Sequence, residues 1–275
     1  MIDLHLHTTA SDGRCTPSEL VARAAAAGVT VMAVTDHDTT AATGEIAVLA
    51  SAAGIQPVSG IEITAVENGA DVHVLGYFFD EEHEALQRFL TSQRQHRLDR
   101  VRQIAARLDG LGMPVDVEAI LAQSGADRRR SIGRPQIARA MIAAGYVTSL
   151  ADAFDRWLGR QCPAFVPRAG PSPETVIETI HAARGIASLA HPGRTRIDAR
   201  IPALRAAGLD ALEVFHSDHG AEDRARYLAL ARELRLLVSG GSDFHGEPAR
   251  GIEPGRASLP ADEWTTLQAS ASRHV

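Results

Sequence analysis

The stretch Ile2-Asp3-Leu4-His5-Leu6-His7 alternates apolar and polar side chains without a break, the period-two pattern of a β-strand. It puts His5 and His7 on one face, where two imidazoles can grip one metal ion. The polar loop Thr8-Thr9-Ala10-Ser11-Asp12-Gly13 follows, so Asp12 falls just past the end of the strand. A histidine pair alone is weak. What matters is whether later segments bring more ligands to the same place.

After this loop the pattern predicts a helix over 17–27, capped by Thr16 and stopped by Gly28. A buried strand over 29–34 ends in Thr35-Asp36-His37-Asp38-Thr39. A helix over 42–53 precedes a strand within 56–64 that ends near Gly60-Ile61-Glu62, and a neighbouring strand over 71–77 holds His73. From about residue 81 the style changes. Helical patterns over 84–108, 117–123, 135–144 and 150–158 follow one another with no strand between them. Alternation then resumes. Helices over 173–184, 201–207 and 221–234 are interleaved with strands over 186–190, 209–215 and 236–239. These strands lead into His191-Pro192-Gly193, into His216 after Glu213, and into Ser242-Asp243-Phe244-His245. The expected fold is α/β with a parallel sheet, open or closed into a barrel. Residues 1–83 and 165–275 form the metal-binding unit, and 84–164 form a helical, arginine-rich insertion.

Composition excludes several chemistries. All 28 basic residues are arginine. Without lysine there is no Walker-type phosphate loop, no Schiff base and no metal site bridged by a carboxylated lysine. The two cysteines, Cys15 and Cys162, make no CxxC motif, and no apolar run is long enough to span a membrane. With a strand starting at Ile2 and no room for a signal peptide, the expected compartment is the cytoplasm. Between Arg88 and Arg168 there are 14 arginines against 7 acids, while the rest of the chain is acidic and the total charge is −6. A basic segment in an acidic chain suggests an anionic partner for that segment. Solvation of helix faces accounts for many of these arginines. His83, His96, His181 and His274 read as surface residues.

His37, Glu62, His191, Asp243 and His245 each fall at or just past the C-terminal end of an expected strand, the side on which parallel α/β folds place their active sites. With His5, His7, Asp12 and His73 they exceed the needs of one ion, and so many buried acids and imidazoles need cations to neutralise them. Glu213 is a candidate for orienting a ligand.

His5-Leu6-His7 with Asp12, Thr35-Asp36-His37-Asp38, Gly60-Ile61-Glu62, Ala190-His191-Pro192 and Ser242-Asp243-Phe244-His245 resemble the ordered motifs of the PHP (polymerase and histidinol phosphatase) family. Gly133-Arg134-Pro135-Gln136-Ile137-Ala138-Arg139-Ala140, Ala153-Phe154-Asp155 and Pro163-Ala164-Phe165-Val166-Pro167 are similar to the branch holding nucleoside 3',5'-bisphosphate phosphatases and RNase AM-like 5'-3' exoribonucleases. Gln136 departs from the histidine of many relatives. The resemblance implies a distorted (β/α)7 barrel with a trinuclear metal centre. It assigns His5, His7, Glu62 and Asp243 to the first ion, Glu62, His73 and His191 to the second, and Asp12, His37 and His245 to the third. Nitrogen and oxygen donors without thiolate suit Mn2+, Zn2+ or Fe2+, with manganese first because of the carboxylates.

Such a centre suits hydrolysis of a phosphoester. The expected substrate is a nucleoside 3',5'-bisphosphate that loses its 3'-phosphate, with Arg97, Arg100, Ser131 and Arg134 of the insertion holding the 5'-phosphate. Pro135 is expected to open a helix whose N-terminus helps cradle that group. Arg128, Arg129 and Arg130 lie close by in sequence. Alternatives are a 5'-3' exoribonuclease on short RNA, a histidinol phosphate phosphatase, and a non-catalytic metal-stabilised module. Neither a membrane nor a DNA duplex is an expected partner. Aromatic content of 4% offers few platforms for stacking long single strands. His216 and His219 are candidates to protonate the leaving group or to line the mouth.

Overall fold

The structure is a computed structural model and describes residues 1–123 and 129–271; Arg128 and His274 lie outside them. Among the described residues, seven strands form one sheet in chain order: Ile2–Leu6 (β1), Val31–Val34 (β2), Gln56–Glu67 (β3), Ala70–Tyr77 (β4), Ile186–Leu189 (β5), Ala211–His216 (β6) and Leu237–Gly241 (β7). β1, β2 and β3 are parallel, as are β5, β6 and β7. β4 runs against both of its neighbours. The sheet curls until β7 meets β1, where the Asp243 N–H donates to His5 O (2.8 Å) and the His7 N–H to Phe244 O (3.0 Å). The result is a nearly closed seven-stranded barrel.

The reversal at β4 comes from a tight hairpin. Asn68 and Gly69 both have positive φ (49° and 73°), the two-residue turn whose twist matches that of the flanking strands. It also explains why β3 runs on to Glu67, past the expected end near Glu62.

Helices Pro17–Ala26 (α1) and Thr43–Ala52 (α2) cover the first strands. Thr16 and Glu19 close a capping box on α1, which satisfies otherwise orphaned N–H groups. Glu84–Gly110 (α3), Val117–Gln123 (α4), Arg134–Ala143 (α5) and Leu150–Ala153 (α6) follow, the last continuing as a π-helical turn over Phe154–Leu158. These elements share an apolar core of their own that includes Val101, Ile104, Leu108, Ile137, Met141 and Leu158. Each such buried side chain contributes about 2 kcal/mol relative to exposure. Pro173–Ala182 (α7), Pro192–Thr195 (α8), Ile201–Ala206 (α9) and Ala221–Leu234 (α10) pack the second half of the barrel, and Ala261–Ala271 (α11), which the sequence pattern did not suggest, packs at β7.

The alternation in β1 sends Leu4 and Leu6 into apolar clusters and leaves His5 and His7 fully buried. Closure depends on a small residue: a Cβ at Gly241 would run into the backbone of His5. We therefore expect Gly241→Ala to force β1 and β7 apart at a cost of about 1–3 kcal/mol. Thermal denaturation should show a midpoint several degrees lower, and an unchanged midpoint would mean that the barrel seam is not tightly packed.

Candidate metal centre

Imidazoles from β1, the loop after β2, β4 and the loop after β5 converge on Glu62, which is fully buried. Its Oε2 lies 3.1 Å from His5 Nε2, 3.2 Å from His7 Nε2 and 3.2 Å from His37 Nδ1. Its Oε1 lies 2.7 Å from His73 Nδ1 and 3.0 Å from His191 Nε2. Backbone pairing fixes this convergence. His37 bridges Glu62 directly, with the Asp38 N–H donating to Glu62 O (2.9 Å). His73 pairs with Thr64, two residues from Glu62 and therefore on the same face. Because β4 runs backwards, a residue early in that strand sits at the mouth where the parallel strands end.

Asp243 Oδ1 lies 3.4 Å from both His5 Nε2 and His7 Nε2. Asp12 lies 3.2 Å from His245 Nε2 and 3.7 Å from His37 Nε2. Ligand atoms of His5, His7, Glu62 and Asp243 lie within 4.8 Å of one another, as do those of His7, Asp12, His37 and His245. A third group joins His37, rather than His191, to Glu62 and His73. His7 and His37 thus stand between sets that the family pattern keeps separate. A fourth group, His5, Glu213 and His216, lies behind them.

These donors fit cations. Both ring nitrogens of His7 and Nδ1 of His37 and of His73 are buried without a hydrogen-bond partner, although carboxylate oxygens lie 2.7–3.9 Å away. Nitrogen and oxygen donors that crowd together without hydrogen-bond geometry are what a shared cation would satisfy. Burial pushes His37 down to about 3 and His191 down to about 4, the neutral state a metal ligand needs. Burial also opposes charge on His7, but Asp243 and Glu62 outweigh it and drive its pKa up to about 10. Burial would raise Glu62, yet His37, His73 and His5 hold it well below the carboxylate range.

Neighbouring carboxylates hold the site in shape. Glu213 accepts from His5 Nδ1 (2.8 Å) and from the His191 N–H (2.7 Å), turning the Nε2 of His5 toward Glu62. Asp36 accepts from the Thr8 N–H (2.8 Å) and from Ser11 Oγ (2.6 Å), tying down the loop that carries Asp12. Asp38, His191 and Asp243 all have positive φ (53°, 29° and 54°), a cost that concentrates at functional sites.

His216 and His219 differ from their expected roles. Neither lines the cavity in front of the cluster. His219 donates from Nδ1 to Val214 O (2.9 Å) and accepts the Gly193 N–H at Nε2 (3.2 Å), so both nitrogens are engaged. His216 is buried, with Nε2 3.4 Å from Asp243 Oδ2. His96 is exposed, and His181 pairs with Asp210.

The cavity, of about 480 Å³, runs from Asp12, His37, Glu62, His73, His191, Asp243 and His245 to the insertion. Arg97, Arg100, Arg134 and Arg168 line its far side. Arg97 and Arg168 both donate to Asp38 Oδ2 (2.5 and 2.9 Å). Arg134 pairs with Asp71 Oδ2 (3.2 Å) and lies over Phe154, which begins the π-helical turn. Four guanidiniums thus face two carboxylates. Burial and the neighbouring guanidiniums lower Arg100 and Arg168 to about 10, so the cluster is short of negative charge. Ser131 does not line the cavity; its N–H donates to Ala10 O (2.8 Å) and its buried Oγ has no partner. The start of α5 also differs from expectation. Arg134, not Pro135, is the first helical residue, and the Gly133 N–H is taken by Gln136 Oε1 (2.9 Å). Gln136 Nε2 in turn donates to Ser11 O (2.5 Å), linking the insertion to the Asp12 loop. Guanidiniums make this end of the cavity cationic. Asp71 and Arg168 carried no motif that would have singled them out, and Asp38 stood in the Thr35–Asp38 motif without a role of its own.

Residues 3–139 match the PHP domain. The chain is 38% identical over 269 residues to the 5'-3' exoribonuclease Rnm of Escherichia coli, spanning 94% of this chain and 90% of that protein. It is 34% identical over 258 residues to the 3',5'-nucleoside bisphosphate phosphatase of Chromobacterium violaceum, spanning 91% and 90%. A crystal structure titled as a putative metal-dependent phosphoesterase from Bifidobacterium adolescentis superposes with a TM-score of 0.89 at 35% identity, covering 97% of this chain and 95% of that one. An amidohydrolase from C. violaceum, solved with sulfate and no metal, gives 0.86 at 32% identity, covering 98% and 96%. Barrel, buried donor cluster and relatives together define a metal-dependent phosphoesterase. The chain belongs to the PHP family. Among the described residues no helix is long and apolar enough to cross a membrane.

Removing the central carboxylate tests the cluster. Glu62→Ala is expected to weaken metal binding more than about 100-fold while keeping the circular dichroism of the folded barrel. Elemental analysis of the purified variant should show metal content far below the wild-type level, and full retention would remove Glu62 from the ligand set.

Proposed function

We propose that this chain hydrolyses the O3'–P bond of a nucleotide that carries a 5'-phosphate, with a nucleoside 3',5'-bisphosphate as the smallest substrate. The products are then a nucleoside 5'-monophosphate and phosphate. What carries this reading is one cavity with two stations for anions, the donor cluster at the mouth of the barrel and the arginine cluster of the insertion. The similarity to the C. violaceum phosphatase supports it.

Divalent ions, when bound, neutralise phosphoryl oxygens and supply an acidified water at neutral pH. We assign them to His5, His7, Asp12, His37, Glu62, His73, His191, Asp243 and His245, with Mn2+ as first choice and three per chain. Glu213 and Asp36 keep the donors in position. Arg134 and Arg100 bind the 5'-phosphate, since planar guanidiniums match phosphate oxygens in pairs. Asp71 is their partner when substrate is absent. Holding the 5'-phosphate fixes the distance to the 3'-phosphorus, so remote binding is spent on orienting the reacting bond. On this reading residues 84–164 are the substrate-binding insertion, and the compartment is the cytoplasm.

The identity to Rnm favours a second reading, stepwise 5'-3' cleavage of short RNA. The same bond breaks in both: water attacks phosphorus and the 3'-oxygen of the first nucleotide departs. They differ only in whether that phosphorus carries a further nucleotide.

A release assay on the metal-loaded protein with adenosine 3',5'-bisphosphate, 5'-phosphorylated dinucleotides and histidinol phosphate tests the proposal. Turnover of the nucleotides is expected, and turnover of histidinol phosphate alone would overturn it. Arg134→Ala should lower kcat/KM for the bisphosphate by more than about tenfold while affecting a simple phosphate monoester far less. Equal losses on both substrates would count against a 5'-phosphate site.

A further inference from the structure

The two anion stations do not account for all the arginine in the cavity. Arg194 and Arg250 also line it, and they lie away from the insertion. Arg194 follows β5 in α8, and Arg250 ends the short helical turn Pro248–Arg250 beyond β7. The insertion's arginines are anchored at Asp38 after β2, Thr64 on β3 and Asp71 on β4. Strand order around the barrel therefore puts these two groups on opposite rims, with the donor cluster between them.

Arg194 and Arg250 converge. Their guanidiniums lie 3.0 and 3.6 Å from the same oxygen, Asp243 Oδ2. Both also pair with Asp218, at 3.7 and 3.0 Å. The Arg194 side chain is 49% exposed and that of Arg250 33%, so solvent reaches both. Asp218, 40% exposed, is a weakly held partner that an incoming anion can replace. The two guanidiniums share two carboxylates, Asp243 of the donor cluster and the replaceable Asp218, and once Asp218 gives way they offer a site for a phosphodiester oxygen pair.

A nucleoside bisphosphate carries two phosphates, one for each station already described. A third cationic station on the far rim has no use for it. We propose that Arg194 and Arg250 bind the backbone phosphate on the 3' side of the second nucleotide, which makes the preferred substrate an oligonucleotide chain threaded across the mouth. The inference rests on the O3'–P reading above and adds the direction in which the chain leaves: over β5 to β7, away from the insertion.

The test compares 5'-phosphorylated diadenosine, with two phosphates, with the same dinucleotide carrying a third phosphate at its 3' end. On metal-loaded wild-type protein, kcat/KM is expected to be about tenfold higher for the three-phosphate substrate. In Arg194→Ala/Arg250→Ala this ratio should fall toward one. Arg250→Gln, which keeps most of the side-chain volume, should give an intermediate ratio should the double variant fold poorly. Binding gives a readout independent of turnover. With a 3'-methylene linkage in place of the scissile oxygen, wild-type affinity for the three-phosphate ligand should fall with salt more steeply than for the two-phosphate ligand, by about 0.7 in log–log slope. No wild-type preference for the third phosphate, or no difference in salt slope, would overturn the proposal. So would a double variant that loses both substrates in the same proportion, since the arginines would then act on the phosphate at the donor cluster or only support Asp243. Failure of the underlying reading looks different: neither dinucleotide is hydrolysed, and the threaded-chain proposal falls with it.

Discussion

A single buried carboxylate sets the terms for this barrel. Glu62 has no access to water, and imidazoles from β1, the β2 loop, β4 and the β5 loop lie within 2.7–3.2 Å of it. Burying one ionised acid is costly. Burying it with Asp12, Asp243 and Glu213, amid so many rings lacking hydrogen-bond geometry, is tolerable only if the charge is shared among protons or cations. The strand ends are therefore held to a spacing that serves the cluster more than the hydrophobic core. The left-handed backbone at Asp38, His191 and Asp243 shows the same priority.

The polar residues beside the ligands have a second task. Asp36 and Asp38 flank His37 and neither joins the donor groups. Asp36 holds the loop before Asp12, while Asp38 reaches the other way to Arg97 and Arg168. Asp38 also pairs its backbone with Glu62. One short segment thus connects the donor cluster to the arginines of the insertion. That connection makes the spacing between the two ends of the cavity a fixed property of the fold, as a reaction that depends on orientation requires.

Charge is likewise distributed by position. The excess of arginine within the insertion was visible as composition, but most of those side chains have ordinary partners: Arg88 pairs with Glu84 and Arg156 with Asp152 along their helices. Around Asp38 and Asp71 guanidiniums outnumber carboxylates in partial burial, and on the proposed function that surplus holds the 5'-phosphate. Arg194 and Arg250 lie outside the basic segment altogether, and net charge per segment gave no sign of them.

The sequence alone determined the order of the strands and of most helices, the class of donors and their delivery at strand ends, because period-two and period-3.6 patterning are local and because a parallel strand directs its C-terminal residues to one side. It also fixed the absence of lysine chemistry, which needs no structure. Three-dimensional closure decided the rest. The backward run of β4 carries His73 to the mouth, and pairing across strands makes Asp38 a clamp and Glu213 a support. His219 is saturated by backbone groups that lie close to it only in the folded chain. Opposite rims exist only once β7 meets β1. Each of these depends on contacts between residues far apart in the chain, and no local pattern encodes which distant groups will satisfy a buried polar atom.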